Sequence, residues 1–267
     1  MKHPKFFTQE GNITLDRRAK IIEVLEDRGQ VKVNDLSKFF GVSEVTIRND
    51  FEKLEEKGLL VRTRGGGIKN QRARIDYQLN KESTHCLKEK QLIGKTAAAL
   101  VKDNDTILFD SGTTTLEVAK NLNDTNDLTV ITNALNIASQ FVNNPNVNVI
   151  ILGGRLRHST VSLIGPTTED GIRNLYCDKV FLGVNGIDTR FGISTTHIED
   201  SHLNRLMMDI SKEIIVVTDS SKFLKRSFSL ITPITAVDTV VTDSNIPEGE
   251  LHNLQKAGVK VIIAEDA

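Results

Sequence analysis

Asp110-Ser111-Gly112-Thr113-Thr114-Thr115 sets a carboxyl, four hydroxyls and a glycine after the β-rich run Thr106–Phe109 and before a helical pattern. The first N–H groups of a helix lack intrahelical partners, and small hydroxyl side chains let an anion approach them. By residue type this loop is a phosphate cradle. Thr132-Asn133, Gly153-Gly154-Arg155, Gly183-Val184-Asn185-Gly186 and Asp219-Ser220-Ser221-Lys222 also follow strand-like runs. In an open α/β sheet ligands bind outside the carboxyl ends of the strands, so these turns are expected to line one crevice. Hydroxyls, amides, glycines and a few cations suit a phosphorylated polyol. Any one such turn is commonly only a turn; the shared phase carries the reading. Glu199, Asp219 and Lys222 suit acid–base catalysis or the holding of sugar hydroxyls equally well. His197 and His202 bracket Glu199, but a spacing of five residues does not put both on one helical face. No metal and no cofactor are therefore expected there, and His158 reads as a plain loop histidine.

A second constellation, of different chemistry, lies at Val42 to Gly67, VSEVTIRNDFEKLEEKGLLVRTRGGG. Ser43 can cap a helix that Gly58 stops, with Ile47, Phe51 and Leu54 as its apolar stripe. The opposite face presents Val45, Asn49, Glu52 and Lys53, flanked by Thr46 and Arg48. Small and polar side chains on the first two turns suit entry into a DNA major groove. Leu59 to Arg64 reads as a strand, with Gly65-Gly66-Gly67 as the tight reversal of a wing. Ser43, Arg48, Arg62 and Arg64 are expected on phosphates, and Val45, Thr46 and Asn49 on base edges.

The elements that must position these residues follow from periodicity. Asp16 to Gly29 fits a helix with Ala19, Ile22 and Leu25 inward. Val31 and Val33 make an extended step, and Asn34 caps a second helix, Asp35 to Phe40, ended by Gly41. Helix, short helix, turn, capped helix and hairpin is the order of a winged helix-turn-helix. From about Lys88 the pattern becomes βαβ. Strands are expected at Thr106–Phe109, Leu128–Thr132, Val147–Leu152, Lys179–Leu182, Glu213–Thr218, Thr239–Thr242 and Val259–Ile263. Helices are expected at Glu89–Val101, Ala134–Asn143, Glu199–Ser211 and Pro247–Ala257. That rhythm predicts a mostly parallel sheet covered by helices. The domain reading is a tail over 1–15, a DNA-binding domain over 16–70, a linker over 71–88 and a sensor and oligomerisation domain over 89–267.

Charge supports this division. Residues 1–75 hold 16 Lys and Arg against 11 Asp and Glu, whereas the remainder holds 18 against 24. A basic front and an acidic back imply that only the front meets a polyanion. Two distant cysteines, Cys86 and Cys177, form no C-x-x-C pair, which points to a reducing compartment and away from a structural zinc or disulfide framework. No apolar run approaches membrane-spanning length, so a cytoplasmic protein with no membrane partner is expected.

The ordered set VSEVTIRND…LEEKGLLVRTRGGG, ILFDSGTTT, VITN, ILGG, FLGVNGID and VVTDSSKF resembles the DeoR-type transcriptional regulators from about Asp16 to the C-terminus. The resemblance implies an α/β fold class: a winged helix-turn-helix followed by a sensor related to ribose-5-phosphate isomerase and CoA transferases. It implies a repressor of a sugar-utilisation operon, released by a sugar phosphate. By the same resemblance Asp110, Gly112, Thr113 and Thr114 form the phosphate loop. Thr132, Asn133, Gly153, Gly154 and Gly183 line the sugar, and Glu199 and Lys222 match the acid and base of the pocket. Asn49, Gly67 and Asn204 depart from the commoner arginine, alanine and lysine. TIRND, LNR and the uninterrupted DSGTTT resemble the branch that regulates N-acetylgalactosamine and galactosamine use, which favours an amino-sugar phosphate.

An isomerase or transferase is the rival reading. Moving a proton between adjacent carbons needs a carboxylate cluster and a lysine. Gly183 to Asp188 offers a single carboxylate, and Asn185 cannot act as a base. The expectation is therefore a non-enzymatic homo-oligomer, dimer or tetramer, that binds double-stranded operator DNA and a phosphorylated sugar.

Overall fold

The computed structural model describes residues 13–56, 59–69, 84–122 and 126–265. The chain forms two compact units, Met1–Asn80 and Lys81–Ala267. Among the described residues no helix is long and apolar enough to cross a membrane.

In the first unit α1 (Ile13–Arg28) buries Ile21, Ile22 and Leu25. Ala19, expected inward, is exposed, because the buried stripe runs along Ile21, Ile22 and Leu25, and residues two apart, such as Ala19 and Ile21, lie on nearly opposite helix faces. Strand β1 (Gln30–Lys32) leads into α2 (Val33–Phe40). Asn34 is not its cap: the helix begins two residues earlier than expected, after Lys32, and no side chain caps it. The Val33 N–H instead donates to Gly65 O at 2.9 Å, so the hairpin turn ties down the start of α2. Gly41, left-handed at φ 66°, ends the helix as its spacing predicts. Helix α3 (Glu44–Glu56) follows, then β2 (Leu60–Thr63) and β3 (Gly66–Lys69), in the sheet order β1-β3-β2. Arg64 and Gly65 alone make the reversal; Gly66 and Gly67 lie in β3, the central strand. A Cβ on Gly66 would stand 2.2 Å from Val31 O, so only glycine lets β1 and β3 pair there.

The second unit is built on a seven-stranded parallel sheet. Its strands are β4 (Thr106–Phe109), β5 (Leu128–Thr132), β6 (Val147–Ile151), β9 (Cys177–Gly183), β12 (Ser211–Val217), β14 (Thr239–Asp243) and β15 (Lys260–Ala264). All the predicted strands are present within a residue or two of the expected bounds. The order β15-β14-β12-β9-β4-β5-β6 reverses direction between β4 and β9, which makes that gap the topological switch point. Successive residues face opposite cores. Leu108, Val180, Leu182, Val216 and Val240 pack with α7 (Pro166–Ile172), α8 (Ile198–Asp209) and α9 (Glu248–Lys256). Ile107, Phe109, Phe181, Ile215, Val217 and Val241 pack with α4 (Leu87–Ala98), α5 (Thr113–Ala119) and α6 (Leu135–Ala138). Helix α6 is shorter than expected, because its last predicted turn is the 3-10 segment Ser139–Phe141.

Two antiparallel additions have no counterpart in the sequence reading. One is the hairpin of β7 (Arg155–Arg157) and β8 (Ser162–Ile164). The other is a sheet of β10 (Gly186–Asp188), β11 (Gly192–Thr195) and β13 (Ser229–Thr232). Strands of three or four residues are too short to display an alternation. Of the expected linker over 71–88, positions 71–83 lie outside the described residues, and α4 begins at Leu87.

Candidate nucleic-acid interface and sensor crevice

Helix α3 is held from beneath by Asp50, which is 1% exposed on the buried stripe between Ile47 and Leu54. Its carboxylate accepts from Arg17 Nε at 2.5 Å and Arg18 Nε at 2.7 Å, clamping α1 to α3. Sequence reading missed Asp50. The available signal was a charged residue at an inward position, since such a residue persists there only when paired. Ser43 caps α3 as expected, its Oγ accepting the Thr46 N–H at 3.1 Å. On the outer face Val45 is 62% exposed, and Arg48 and Asn49 are exposed. Arg48 pairs with Glu44 at 2.7 Å along the helix. Arg62 is exposed on β2, its N–H donating to Glu55 Oε1 at 2.9 Å, and Arg64 is exposed at the hairpin tip. The structure thus gathers Val45, Arg48 and Asn49 on an open helix face beside a short basic hairpin.

In the second unit the switch point brings the β4 and β9 loops together: a Cβ on Gly112 would lie 3.9 Å from Gly183 Cα. Asp110 ends β4 and is 6% exposed. Its carboxyl receives the backbone N–H groups of Ser111 and Gly183, yet burial, reinforced by the nearby Asp200 carboxylate, pushes its pKa up to about 8. Burial thus favours the protonated form of Asp110, in which the carboxyl can donate a hydrogen bond. Thr115, which begins no prediction of its own, fixes the loop: its Oγ1 is bonded to Asp110 O at 2.9 Å and Gly112 O at 3.0 Å. Thr113 and Thr114 open α5, Thr113 half-buried and Thr114 buried.

The remaining predicted residues take different stations. Thr132 is fully buried; its Oγ1 donates to Phe109 O and accepts the Ala134 N–H, both at 3.0 Å, so that side chain serves the scaffold. Asn133 donates to Leu163 O at 3.0 Å, and its buried Oδ1 has no partner among the described residues. A buried amide oxygen without a donor is costly, so a ligand hydroxyl or amide at this point would be favoured. Gly153 and Gly154 are exposed ahead of β7. Gly154 sits at φ 139°, where a Cβ would meet Thr168 Oγ1 at 2.2 Å. Glu199 is not a free acid: Arg155 reaches it at 3.3 Å, and Arg157 bridges it to Asp200. Arg157 and Asp200 escaped the sequence reading because the β7–β8 hairpin that delivers Arg157 was itself illegible. Burial raises the Asp200 pKa despite Arg157. Lys222 is half-buried in the 3-10 turn Ser220–Lys222 that follows β12. His202 lies 3.3 Å from Glu169, and His197 is exposed before α8.

Fold and geometry define a class: a winged helix-turn-helix unit together with an α/β unit built on a parallel sheet whose order reverses between β4 and β9. Residues 17–73 match the DeoR-like helix-turn-helix domain, and residues 85–244 match the DeoR C-terminal sensor domain. The chain belongs to the DeoR family of transcriptional regulators. It is 37% identical to a candidate aga operon transcriptional repressor of Escherichia coli O157:H7, over 94% of each chain. It is 36% identical to the transcriptional repressor AccR of Agrobacterium fabrum, over 87% of this chain and 91% of that one. Among solved structures, ribose 5-phosphate isomerase A of Methanocaldococcus jannaschii is similar with a TM-score of 0.39 at 16% identity, over 52% of this chain and 56% of that one.

Proposed function

We propose that this regulator is a cytoplasmic homo-oligomeric repressor of a sugar-catabolism operon, released when a phosphorylated sugar enters the crevice between β4 and β9. The observation that carries the reading is the meeting of the β4 and β9 loops, where Gly112 lies beside Gly183 and Thr113 and Thr114 open α5. A phosphate dianion beside an ionised Asp110 would be repelled, but burial favours the protonated carboxyl. The hydroxyls of Thr113 and Thr114 and the first N–H groups of α5 then face the phosphate with no opposing charge on the loop. Gly153, Gly154 and Gly183 leave room for the sugar, while Asn133, Glu199 and Lys222 supply groups for its hydroxyls. The branch resemblance in TIRND, LNR and DSGTTT, with the 37% identity to the candidate aga operon repressor, favours an amino-sugar phosphate.

Binding without turnover is supported at Asp188, the carboxylate at the end of β10. It is 4% exposed and paired with Arg226 at 2.9 Å and Arg190 at 3.6 Å. Burial pushes its pKa up, but the Arg226 and Arg190 contacts outweigh it and leave the carboxyl below its usual range. A carboxylate held that way is a poor proton carrier. For assembly, Phe191, Leu224, Phe228 and Leu230 are each about half or more exposed around the β10-β11-β13 sheet, a surface suited to a second copy. Two recognition helices about 34 Å apart, or at multiples of that spacing, would then read two half-sites.

The test combines a gel-shift titration on the protein's own promoter with a panel of hexosamine and pentose phosphates, each also followed by NMR. Operator binding relieved by one sugar phosphate, with that compound unchanged, is the expected result. Indifference to the promoter under all additions, or consumption of the compound at metabolic rates, would overturn the reading.

A further inference from the structure

At the start of the second unit three different donor types meet. The ligand atoms of His85, Cys86 and Asp219 all lie within 4.8 Å of one another. Asp219 follows β12 and is 1% exposed. Its Oδ1 accepts both the N–H and the hydroxyl of Ser221, while Asp243 Oδ2 accepts the Ser220 N–H at 2.6 Å, so the turn is braced from both sides. The Cys86 thiol is hydrogen-bonded to Asp219 and Ser221. Cys86 itself has φ 52°, a left-handed conformation that a side-chain-bearing residue rarely adopts, and it directly precedes the 12-residue helix α4. His85 is exposed.

We infer that His85, Cys86 and Asp219 form a binding site for a divalent cation of the zinc class, with three protein ligands and one open position. Thiolate, imidazole and carboxylate are the donors such an ion takes, at about 2.3, 2.0 and 2.1 Å. Tetrahedral bonds of those lengths place ligand atoms roughly 3.3–3.7 Å apart, so closure needs only about 1 Å of movement, which the exposed His85 ring can supply. The two Ser221 hydrogen bonds orient the carboxylate as an outer-shell partner does. Metal entry releases the thiol proton to solvent, leaving sulfur bound as thiolate. The ligands are far apart in the chain, which is why neither cysteine shows a zinc spacing in the sequence. Occupancy would fasten the beginning of α4 to the turn that carries Lys222. That consequence rests on the effector reading of the turn; the site does not.

The experiment is a Co²⁺ titration of metal-stripped, full-length protein followed by displacement with Zn²⁺. One equivalent is expected, with a thiolate-to-cobalt charge-transfer band and the d–d bands of a tetrahedral site. Cys86→Ser should abolish the charge-transfer band, Cys177→Ala should retain it, and His85→Ala should weaken Zn²⁺ binding at least 10-fold, the low end of what losing a supporting residue costs. Absence of saturable binding at one per chain, or a band that survives Cys86→Ser, overturns the site. Weak binding equal in wild type and both ligand variants identifies an adventitious ion only and overturns it as well. Because the readout is optical and needs neither DNA nor sugar, its failure is distinct from failure of the effector reading.

Discussion

The two units treat polar side chains in opposite ways. In the winged unit the buried charge is structural: Asp50 is locked by Arg17 and Arg18, while Val45, Arg48, Asn49, Arg62 and Arg64 stand in solvent. In the sensor unit the polar groups of the crevice are themselves buried, with Asp110 at 6%, Thr114 at 7% and Asn133 at 1% exposure. DNA is read by protrusion, so its contacts remain hydrated until they meet the groove. Under the proposed function a small metabolite would be read by enclosure, its contacts desolvated in advance and rewarded only when the ligand completes them. The first arrangement costs little stability and is ready at all times. The second leaves an amide oxygen at Asn133 unpartnered among the described residues, a deficit that the proposed ligand would relieve.

The comparison breaks most visibly at Asp50. Asp50→Ala leaves two arginines facing an apolar core, and loss of one partner of a buried pair costs about 3–5 kcal/mol. Operator binding should vanish on every sequence, and calorimetry should show the winged-unit transition lowered while that of the sensor unit stays put. Next is Thr113→Val combined with Thr114→Val, which keeps shape and removes two hydroxyls. Each hydrogen bond to a charged group contributes about 1.5–3 kcal/mol, so effector release should be lost while operator affinity is retained. A double variant still released at the normal sugar-phosphate concentration would place the phosphate elsewhere. Asn49→Ala comes third: a bidentate base contact is worth about 1–3 kcal/mol of discrimination, so a binding-site selection should show a changed base preference. An unchanged preference would take Asn49 off the groove.

The smallest effect sharpens the sensor side. Asp110 is raised from the ordinary value of about 3.9 to about 8, so the folded state keeps a proton that the unfolded chain loses. The stabilising contribution is full below pH about 4 and is lost as pH rises through about 8. Sensor-unit melting should therefore fall from pH 5 to pH 9 in the wild type and fall less in Asp110→Asn, which cannot ionise. In the same range, sugar-phosphate affinity should weaken above pH 8 in the wild type alone. Parallel melting curves for the two proteins would show that Asp110 is already ionised at neutral pH.

Much of this was legible in the residue order. The stripe of Ile47, Phe51 and Leu54, the Ser43 cap and the Gly41 stop are local signals, and local signals carry over because the helix period is fixed by backbone geometry. The strands of the large sheet were legible as short apolar runs followed by small or polar turn residues, most plainly at Thr239–Asp243, whose five residues are all buried. What stayed hidden is non-local. Asp50 makes sense only once Arg17 and Arg18 arrive from another helix, and Arg157 only once a three-residue strand aims it at Asp200. Asn34 has the side chain of a cap, but Gly65 O takes the N–H of Val33 and moves the helix start. Gly66 looks like part of a turn until β1 is laid against it. Within the crevice, residue types indicated the loops, whereas the protonation of Asp110 depends on burial, which a sequence does not display.

The large sheet has a consequence for how such a receptor diversifies. Neighbouring residues of β9 feed separate cores, Val180 and Leu182 on one side and Phe181 on the other. Slipping that strand by a single residue would exchange the two sets wholesale, so the frame tolerates no gradual change of register. The tips beyond the frame carry no such obligation. New metabolites can be accommodated by exchanging a few residues at the ends of strands whose alignment is already guaranteed, leaving the platform inherited intact.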